Sequence, residues 1–281
     1  AKSLKLRRSY TIGLLVADIA NPYFSRIARL IDEELRKSGY TTLMASCNEQ
    51  KDNFQKLSDM LRTRQIDGLI ITPVEGSEQT ILQLVNEKVP FVMLDRYIPI
   101  KGASGVKINN FEIAYEAASK LLTGGRQNLL FVDIVNRMHH LQDRMKGFKA
   151  AHKVLGISCN RSNIVTFGYH DSNIDIAARF EKVLQNNQIN GLIFSNNNLA
   201  LRGLKAIMDL KLRIPDDVAI IIFDENEILD LFTVPLSFIR QPIEQMCNTA
   251  IQILWQKMTD QTEKGIITLN AELINRTSSV I

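Results

Sequence analysis

The chain has few cysteines and no long apolar run. Its three cysteines, Cys47, Cys159 and Cys247, stand far apart without paired spacing, which predicts a reduced, cytoplasmic protein. No apolar run approaches the roughly 20 residues that cross a bilayer. The first ten residues, AKSLKLRRSY, carry charge without an apolar segment behind them, so they do not form a secretory signal as given. We therefore expect no membrane partner.

The common motifs of catalysis and cofactor binding are also missing from the sequence. There is no G-x-S-x-G elbow, no P-loop and no G-x-G-x-x-G turn. The adjacent His139 and His140 lack metal-site spacing to a cysteine or carboxylate. Asp18 and Asp224 could form the carboxylate pair of an enzyme. A protein that only binds a ligand needs the same residue type to recognise hydroxyl groups, so the pair does not by itself indicate catalysis. We expect a protein that is not an enzyme, with no catalytic residues, no metal and no cofactor.

Little net charge remains once the start of the chain is set aside. Lys2, Lys5, Arg7 and Arg8 account for the whole formal charge of +4. The balanced remainder provides no net basic excess for holding phosphates, although it leaves a local patch open.

Apolar, β-branched runs alternate with helical patterns along the chain. The first series of runs is TIGLLVA, TTLMASC, DGLIITP and PFVMLD; the second, after residue 105, is GVKIN, NLLFVDI, NIVTFG, GLIFSN and VAIIIFD. Continuous apolar runs of this length are typical of parallel strands buried on both faces by helices. Because the alternation restarts, we predict two α/β lobes rather than one long sheet, with a boundary near residue 110.

Ligands of open parallel sheets bind beyond the carboxyl ends of the strands. After the first predicted strand come Asp18, Asn21, Tyr23 and Phe24. Asn21 suits an N-cap and Pro22 the first helical position, which places both aromatic residues on the first turn of a helix.

In the second half of the chain, polar and aromatic residues occupy the corresponding positions. These candidates are Asn109, His140, Arg144, Tyr169, Asn197 and Asp224. Aromatic faces combined with amides, carboxylates and a guanidinium suit a small polar ligand such as a sugar.

Each candidate also has a simpler interpretation. Phe24 could be a core residue and Asn21 only a cap. Capping is likewise the alternative role for Asn109, Asn197 and Asp224. His140 could be a solvated histidine at a helix start, and Arg144 could extend to a surface carboxylate. The shared position of all these residues at one edge of the sheets favours a site.

Several stretches together resemble the effector-binding core of lactose-repressor (LacI/GalR) transcription regulators. They are TIGLLVADIANPYFSRIARLIDEELRKSGY, QIDGLIITP, PFVMLDR, RMKGFKAA, NGLIFSNNNLALRGLKAI, LRIPDDVAIIIFDENEILDLFTVPLSFIRQPI and AELINRTS. The resemblance covers almost the whole chain, and IPDDVAIIIFD with PLSFIRQP is its most specific part. The chain departs from the family where Asn198 replaces the aspartate of an A-N-D motif and Ile222 replaces a glycine.

The resemblance implies two Rossmann-like lobes of periplasmic-binding-protein type I architecture, joined by three crossovers. The implied lobes are residues 10–110 with 241–268 and residues 111–240 with 269–281. Residues 1–9 would be the remnant of a linker to a helix-turn-helix head that is absent from this chain. Tyr23, Phe24, Arg144, Asn197 and Asp224 match family motifs for ligand contact, and Asn109 and Tyr169 match looser ones.

The resemblance also implies a function. A small effector, with a sugar as the first candidate, would bind between the two lobes and modulate operator DNA binding through the helix-turn-helix head. The regulator would be a cytoplasmic homodimer. The alternative is a sugar-binding receptor of a transport system, which has the same fold. Receptors of that type are usually monomers, so the oligomeric state discriminates between the two.

Overall fold

The computed structural model describes residues 8–135, 137–169, 171–186, 188–259 and 265–280. The chain divides into two compact units. Unit 1 comprises Ala1–Ile108 with Pro242–Leu269, and unit 2 comprises Asn109–Gln241 with Asn270–Ile281. Most of the predicted linker remnant, namely residues 1–7, lies outside the described residues.

Strands and helices alternate as the sequence predicts. The strands are β1 (Thr11–Val16), β2 (Thr41–Ser46), β3 (Gly68–Ile71), β4 (Phe91–Leu94), β5 (Gly105–Ile108), β6 (Leu129–Ile134), β7 (Ile164–Phe167), β8 (Gly191–Phe194), β9 (Ala219–Phe223), β10 (Ser237–Arg240), β11 (Ile266–Leu269) and β12 (Glu272–Ile274). The helices are α1 (Pro22–Lys37), α2 (Lys51–Thr63), α3 (Glu78–Asn86), α4 (Asn110–Thr123), α5 (His139–Val154), α6 (Asn173–Asn186), α7 (Asn197–Asp209) and α8 (Ile243–Thr259).

Each unit contains one six-stranded sheet. In unit 1 the order is β11-β5-β4-β3-β1-β2, and every pairing is parallel. In unit 2 the order is β12-β10-β9-β8-β6-β7, with β12 antiparallel to β10. The central strands β3, β4, β8 and β9 are buried along their whole length. The prediction of two parallel α/β lobes is therefore confirmed.

Local sequence signals fix the first helix. The Asn21 side chain accepts a hydrogen bond from the Tyr23 backbone N–H at 3.0 Å, and Pro22 occupies the first helical position. Gly39, with φ of 77°, follows the last turn. There the Tyr40 N–H reaches back to the Leu35 carbonyl at 3.0 Å, satisfying an end carbonyl as glycine-terminated helices do. The helix thus starts and stops where the sequence predicts.

None of the helices in the described ranges combines the length and apolar composition needed to cross a membrane.

Candidate functional site

The two aromatic residues of unit 1 lie in the first turn of α1, and both are buried. The Tyr23 hydroxyl donates a hydrogen bond to Asp95 Oδ1 at 2.8 Å. The Tyr23 and Phe24 rings meet edge to face, with centroids 5.1 Å apart. The guanidinium of Arg96 lies over the Phe24 ring, 5.4 Å from its centroid. The predicted aromatic pair therefore belongs to a polar cluster at the carboxyl edge of the sheet.

Asp95 and Arg96, which complete this cluster, follow β4 directly. Asp95 has a φ of 72°, a left-handed conformation that aspartate tolerates better than most residues. Arg96 donates two hydrogen bonds to the Glu49 carboxylate, at 2.7 and 2.6 Å. Its Nε lies 3.6 Å from Asp95 Oδ2. Glu49, Asp95 and Arg96 are not among the candidates identified from the sequence. Asp95 could have been identified, because the run PFVMLD is a predicted strand that ends in aspartate, as is the run that ends at Asp224.

Asp18 and Asn21 have local roles in the loop after β1. The half-buried Asp18 accepts a hydrogen bond from the Ala20 backbone N–H at 3.0 Å. Asn21 caps α1, so its simpler interpretation is confirmed.

Arg144 joins several of the polar and aromatic residues of unit 2. It lies on α5 and is 3% exposed. Its Nε donates to Asn110 Oδ1 at 2.8 Å, and its NH1 donates to the Ser195 carbonyl at 2.6 Å. The guanidinium also lies over Phe223, 4.0 Å from the ring centroid. The alternative of a surface carboxylate partner for Arg144 is therefore wrong.

Asp224 follows β9 as Asp95 follows β4. It is buried, its φ is 76°, and its Oδ1 accepts a hydrogen bond from Gln241 Nε2 at 2.6 Å. This contact fixes the carboxylate from the far end of β10. Gln241 is a further residue that sequence reasoning missed, because the hydrogen bond spans 17 residues.

A second buried carboxylate, Asp133, belongs to β6. Burial raises the pKa of Asp133 to about 6, while the Ser195 hydroxyl and the Arg144 charge lower it less strongly. The residue is 2% exposed. Burial in the strand therefore dominates the ionisation of Asp133, and the charge of Arg144 offsets it only in part.

The remaining candidates occupy varied positions in unit 2. Asn109 precedes α4, and its Oδ1 accepts from the Ala271 N–H at 2.8 Å. Asn197 is the buried first residue of α7. His140 is buried on α5, which contradicts its interpretation as a solvated histidine. Tyr169 is half-buried and packs against the apolar core of the unit.

Arg144 connects several of these predicted positions. It contacts Asn110, Ser195 and Phe223. These three lie one or two residues from the candidates Asn109, Asn197 and Asp224 respectively. None of these contacts involves Tyr169.

The cysteines are poor candidates for nucleophilic chemistry. Burial raises the pKa of the Cys47 thiol to about 11 and that of Cys247 to about 12, and a thiol reacts through its thiolate. Among the residues that the structure describes, no three His, Cys, Asp or Glu side chains form a group able to hold a metal ion.

Comparisons with known proteins agree with this architecture. The periplasmic binding protein-like domain matches residues 104–279. The HTH-type transcriptional repressor PurR of Aliivibrio salmonicida is 28% identical over 281 residues, covering 99% of this chain and 84% of the relative. The HTH-type transcriptional regulator DegA of Bacillus subtilis is 27% identical over 250 residues, covering 88% and 73%.

A solved structure shares the fold. It is a periplasmic binding protein/LacI transcriptional regulator from Alkaliphilus metalliredigens, complexed with D-xylulofuranose. The TM-score is 0.85 at 22% identity, covering 97% of this chain and 100% of the other. The homologues are transcription regulators rather than enzymes.

Proposed function

Because the chain belongs to the periplasmic binding protein-like domain family and matches the effector-binding core of LacI-family regulators, we propose that it senses a small polar molecule. A sugar is the first candidate, and its binding modulates the affinity of the regulator for operator DNA. Binding between the lobes, expected from the family resemblance, stays a prediction.

One observation carries the proposal. In each unit, a buried carboxylate in left-handed conformation follows a central strand, and an arginine lies over an aromatic ring at the same edge of the sheet. In unit 1 these groups are Asp95, Arg96 and Phe24. In unit 2, Asp224 adjoins Phe223, on which Arg144 stacks.

This combination suits a sugar. Carboxylates accept hydrogen bonds from hydroxyl groups, arginines donate to ring and hydroxyl oxygens, and aromatic rings pack against C–H faces. The D-xylulofuranose bound to the protein from Alkaliphilus metalliredigens supports the same ligand class. Modulation of DNA binding requires that the ligand bind one conformation of the regulator more tightly than the other.

The first test is a thermal-shift screen against monosaccharides, disaccharides, sugar acids, sugar phosphates and nucleobases. A ligand that binds only the folded state raises the melting temperature with its occupancy. The hit is then titrated by calorimetry into wild type and Asp224→Asn. This variant keeps the carbonyl oxygen that Gln241 contacts but turns the other acceptor into a donor. We expect a loss of about 10- to 100-fold in affinity, because a hydrogen bond to a charged group is lost.

Glu225→Gln is the matched control, since it removes the same charge one residue away. Glu225 pairs with Arg240 at 2.8 Å in a partly exposed position, so the affinity should stay within about twofold of wild type. Equal affinity of wild type and Asp224→Asn would refute the assignment of Asp224. We prefer this variant to Arg144→Ala, which also removes the contacts of Arg144 to Asn110 and Ser195.

We also propose that the regulator acts as a cytoplasmic homodimer. All three cysteines are free thiols, which suits a reducing compartment. The alternative, a sugar receptor for a transport system, predicts a monomer.

A further inference from the structure

One carboxylate holds the segment that leads into β1. Asp67, directly before β3, accepts hydrogen bonds from the Ser9 and Tyr10 backbone N–H groups, both at 2.8 Å, and from the Ser9 hydroxyl at 3.1 Å. The Asp67 N–H in turn donates to the Thr11 carbonyl at 2.8 Å. Hydrogen bonds from backbone N–H groups to a carboxylate are stronger than those between neutral groups. Asp67 therefore fixes the backbone of two successive residues ahead of the strand.

Tyr10 is held in a strained backbone conformation. Its φ of 53° lies in the left-handed region, which a bulky residue rarely adopts. Such a conformation persists only where the surrounding contacts enforce it. Here these contacts are the hydrogen bond to Asp67 and one from the Thr41 N–H to the Tyr10 carbonyl, at 2.9 Å. When they weaken, the backbone of Tyr10 is free to relax and the segment is released.

A row of three aromatic rings holds the same segment. The Tyr10 and Tyr40 ring centroids are 5.5 Å apart, and those of Tyr40 and Trp255 on α8 are 4.7 Å apart. Both distances lie in the range of favourable aromatic pairs. Tyr40, in the middle of the row, is buried. Asp67, Tyr40 and Trp255 together form a dock for Ser9 and Tyr10.

Helix α1 connects this dock with the candidate site of unit 1. Tyr23 and Phe24 lie in its first turn, where the Tyr23 hydroxyl donates to Asp95 Oδ1 at 2.8 Å. Tyr40 follows its last turn, and the Tyr40 N–H donates to the Leu35 carbonyl at 3.0 Å. The helix has 16 residues, which corresponds to a stiff rod about 24 Å long. A shift of the first turn along the helix axis therefore also displaces Tyr40.

We propose that α1 carries the effector signal from Tyr23 and Phe24 to the dock and thereby controls the release of Ser9 and Tyr10. The predicted linker to the helix-turn-helix head joins unit 1 through these residues. The inference rests on the proposed function, since it concerns how the same site regulates DNA binding. It requires that the contacts at the two ends of α1 strengthen or weaken together. Asp67 and Tyr40 are positioning residues.

The test is hydrogen exchange of the Ser9 and Tyr10 amides, measured by NMR without ligand or DNA. Tyr23→Phe removes the hydrogen bond to Asp95 at the far end of α1. If the two ends are coupled, both amides should exchange at least about threefold faster than in the wild type. This readout distinguishes coupling from a local effect, because neither amide contacts Tyr23.

Ser77→Ala is the matched control. It removes one buried hydrogen bond of unit 1, from the Ser77 hydroxyl to the Val74 carbonyl at 2.7 Å, away from α1 and the dock. The Leu69 amide of the central strand β3 reports global unfolding in the same spectra. Equal exchange of the dock amides in Tyr23→Phe and Ser77→Ala, or acceleration that the Leu69 amide shares in full, would overturn the inference.

The reverse experiment keeps the inference testable even if Tyr23→Phe does not fold. Coupling is reciprocal, so Asp67→Asn should accelerate exchange of the Phe24 and Ser25 amides in the first turn of α1 at least about threefold. The control is Asp59→Asn, which alters an exposed pair with Arg62 on α2. Unchanged exchange in Asp67→Asn would overturn the coupling and leave the effector function to its own ligand screen. Coupling in both directions together with a blank ligand screen would support the role of α1 and count against the proposed effector.

Discussion

Asp133 is a carboxylate inside a buried strand, and its ionisation should weaken the fold. Burial raises its pKa from 3.8 to about 6. Between these values the folded state holds a proton that the unfolded state has released. The stability contributed by protonated Asp133 is therefore present below about pH 4 and is lost as the pH rises to about 6. The difference amounts to roughly 3 kcal/mol, at about 1.4 kcal/mol per pH unit.

The variant Asp133→Asn tests this directly. The amide has the shape of the acid without its charge, so the variant should gain up to about 3 kcal/mol at pH 7.5 and little at pH 4.5. Urea unfolding at both pH values measures the change. The control Asp209→Asn alters an exposed carboxylate paired with Lys205, and we expect less than about 1 kcal/mol at either pH. A variant that is less stable at pH 7.5 would show that ionised Asp133 is held favourably by Arg144.

Single residues show where sequence reasoning succeeds and where it stops. Arg144 and Asp224 could be singled out because a strand or helix pattern precedes each of them. Glu49 could not, since only the fold brings it to Arg96 across 47 residues. The burial of His140 has no local signal for a similar reason, because it depends on packing rather than on the position of His140 at a helix start. Partners from distant segments leave no local signal.

At the scale of elements, the close packing of α4 against α5 depends on Gly147. A Cβ at this position would overlap the Phe111 carbonyl oxygen and lie 2.9 Å from the Tyr115 nitrogen, both on α4. Gly147→Ala gains about 1 kcal/mol of helix propensity. The clash is with backbone atoms, which cannot rotate away, and overpacking of this kind costs about 1–3 kcal/mol or more.

We therefore expect Gly147→Ala to lower the free energy of unfolding by about 2 kcal/mol in urea titration. The control is Lys146→Ala on the same helix, whose side chain is mostly exposed and pairs with Asp143. Its effect should stay within about 0.5 kcal/mol. Unchanged or increased stability of Gly147→Ala would mean that the two helices can separate at little cost.

Most elements could be predicted from hydrophobic runs and helix caps. The runs that precede α1, α5 and α7 are long enough to identify buried strands, and Asn21 and Gly39 bound α1. The series of apolar runs does not include β10, because only Phe238 and Ile239 of Ser237–Arg240 are apolar. Its place in the sheet comes from pairing with β9 and β12. The pairing direction of β12, antiparallel to β10, also depends on the fold rather than on its own sequence.

At the scale of the whole molecule, unit 2 has an apolar groove that suits contact with a second copy. The groove has a volume of about 700 Å³. It is lined mainly by apolar side chains from the end of α7, from the segment between α7 and β9, and from the segment between β9 and β10. Leu231 is 81% exposed, Met208 62% and Ile228 41%. Exposed apolar surface of this kind is typical of interaction sites. Arg213 and Asp216 also line the groove, and they pair with each other within the chain at 3.4 Å.

The proposed homodimer makes a prediction about Leu231. In a twofold interface the substitution occurs twice, and each buried leucine contributes about 2 kcal/mol. Leu231→Glu should therefore raise the dimer dissociation constant by at least about 100-fold, as measured by sedimentation equilibrium. The matched control is Ile174→Glu, which places the same charge at an apolar residue that is 80% exposed and is not among the residues lining the groove. If both variants and the wild type dimerise equally, the groove is not the dimer interface. A wild type that stays monomeric would instead favour the transport receptor over the regulator.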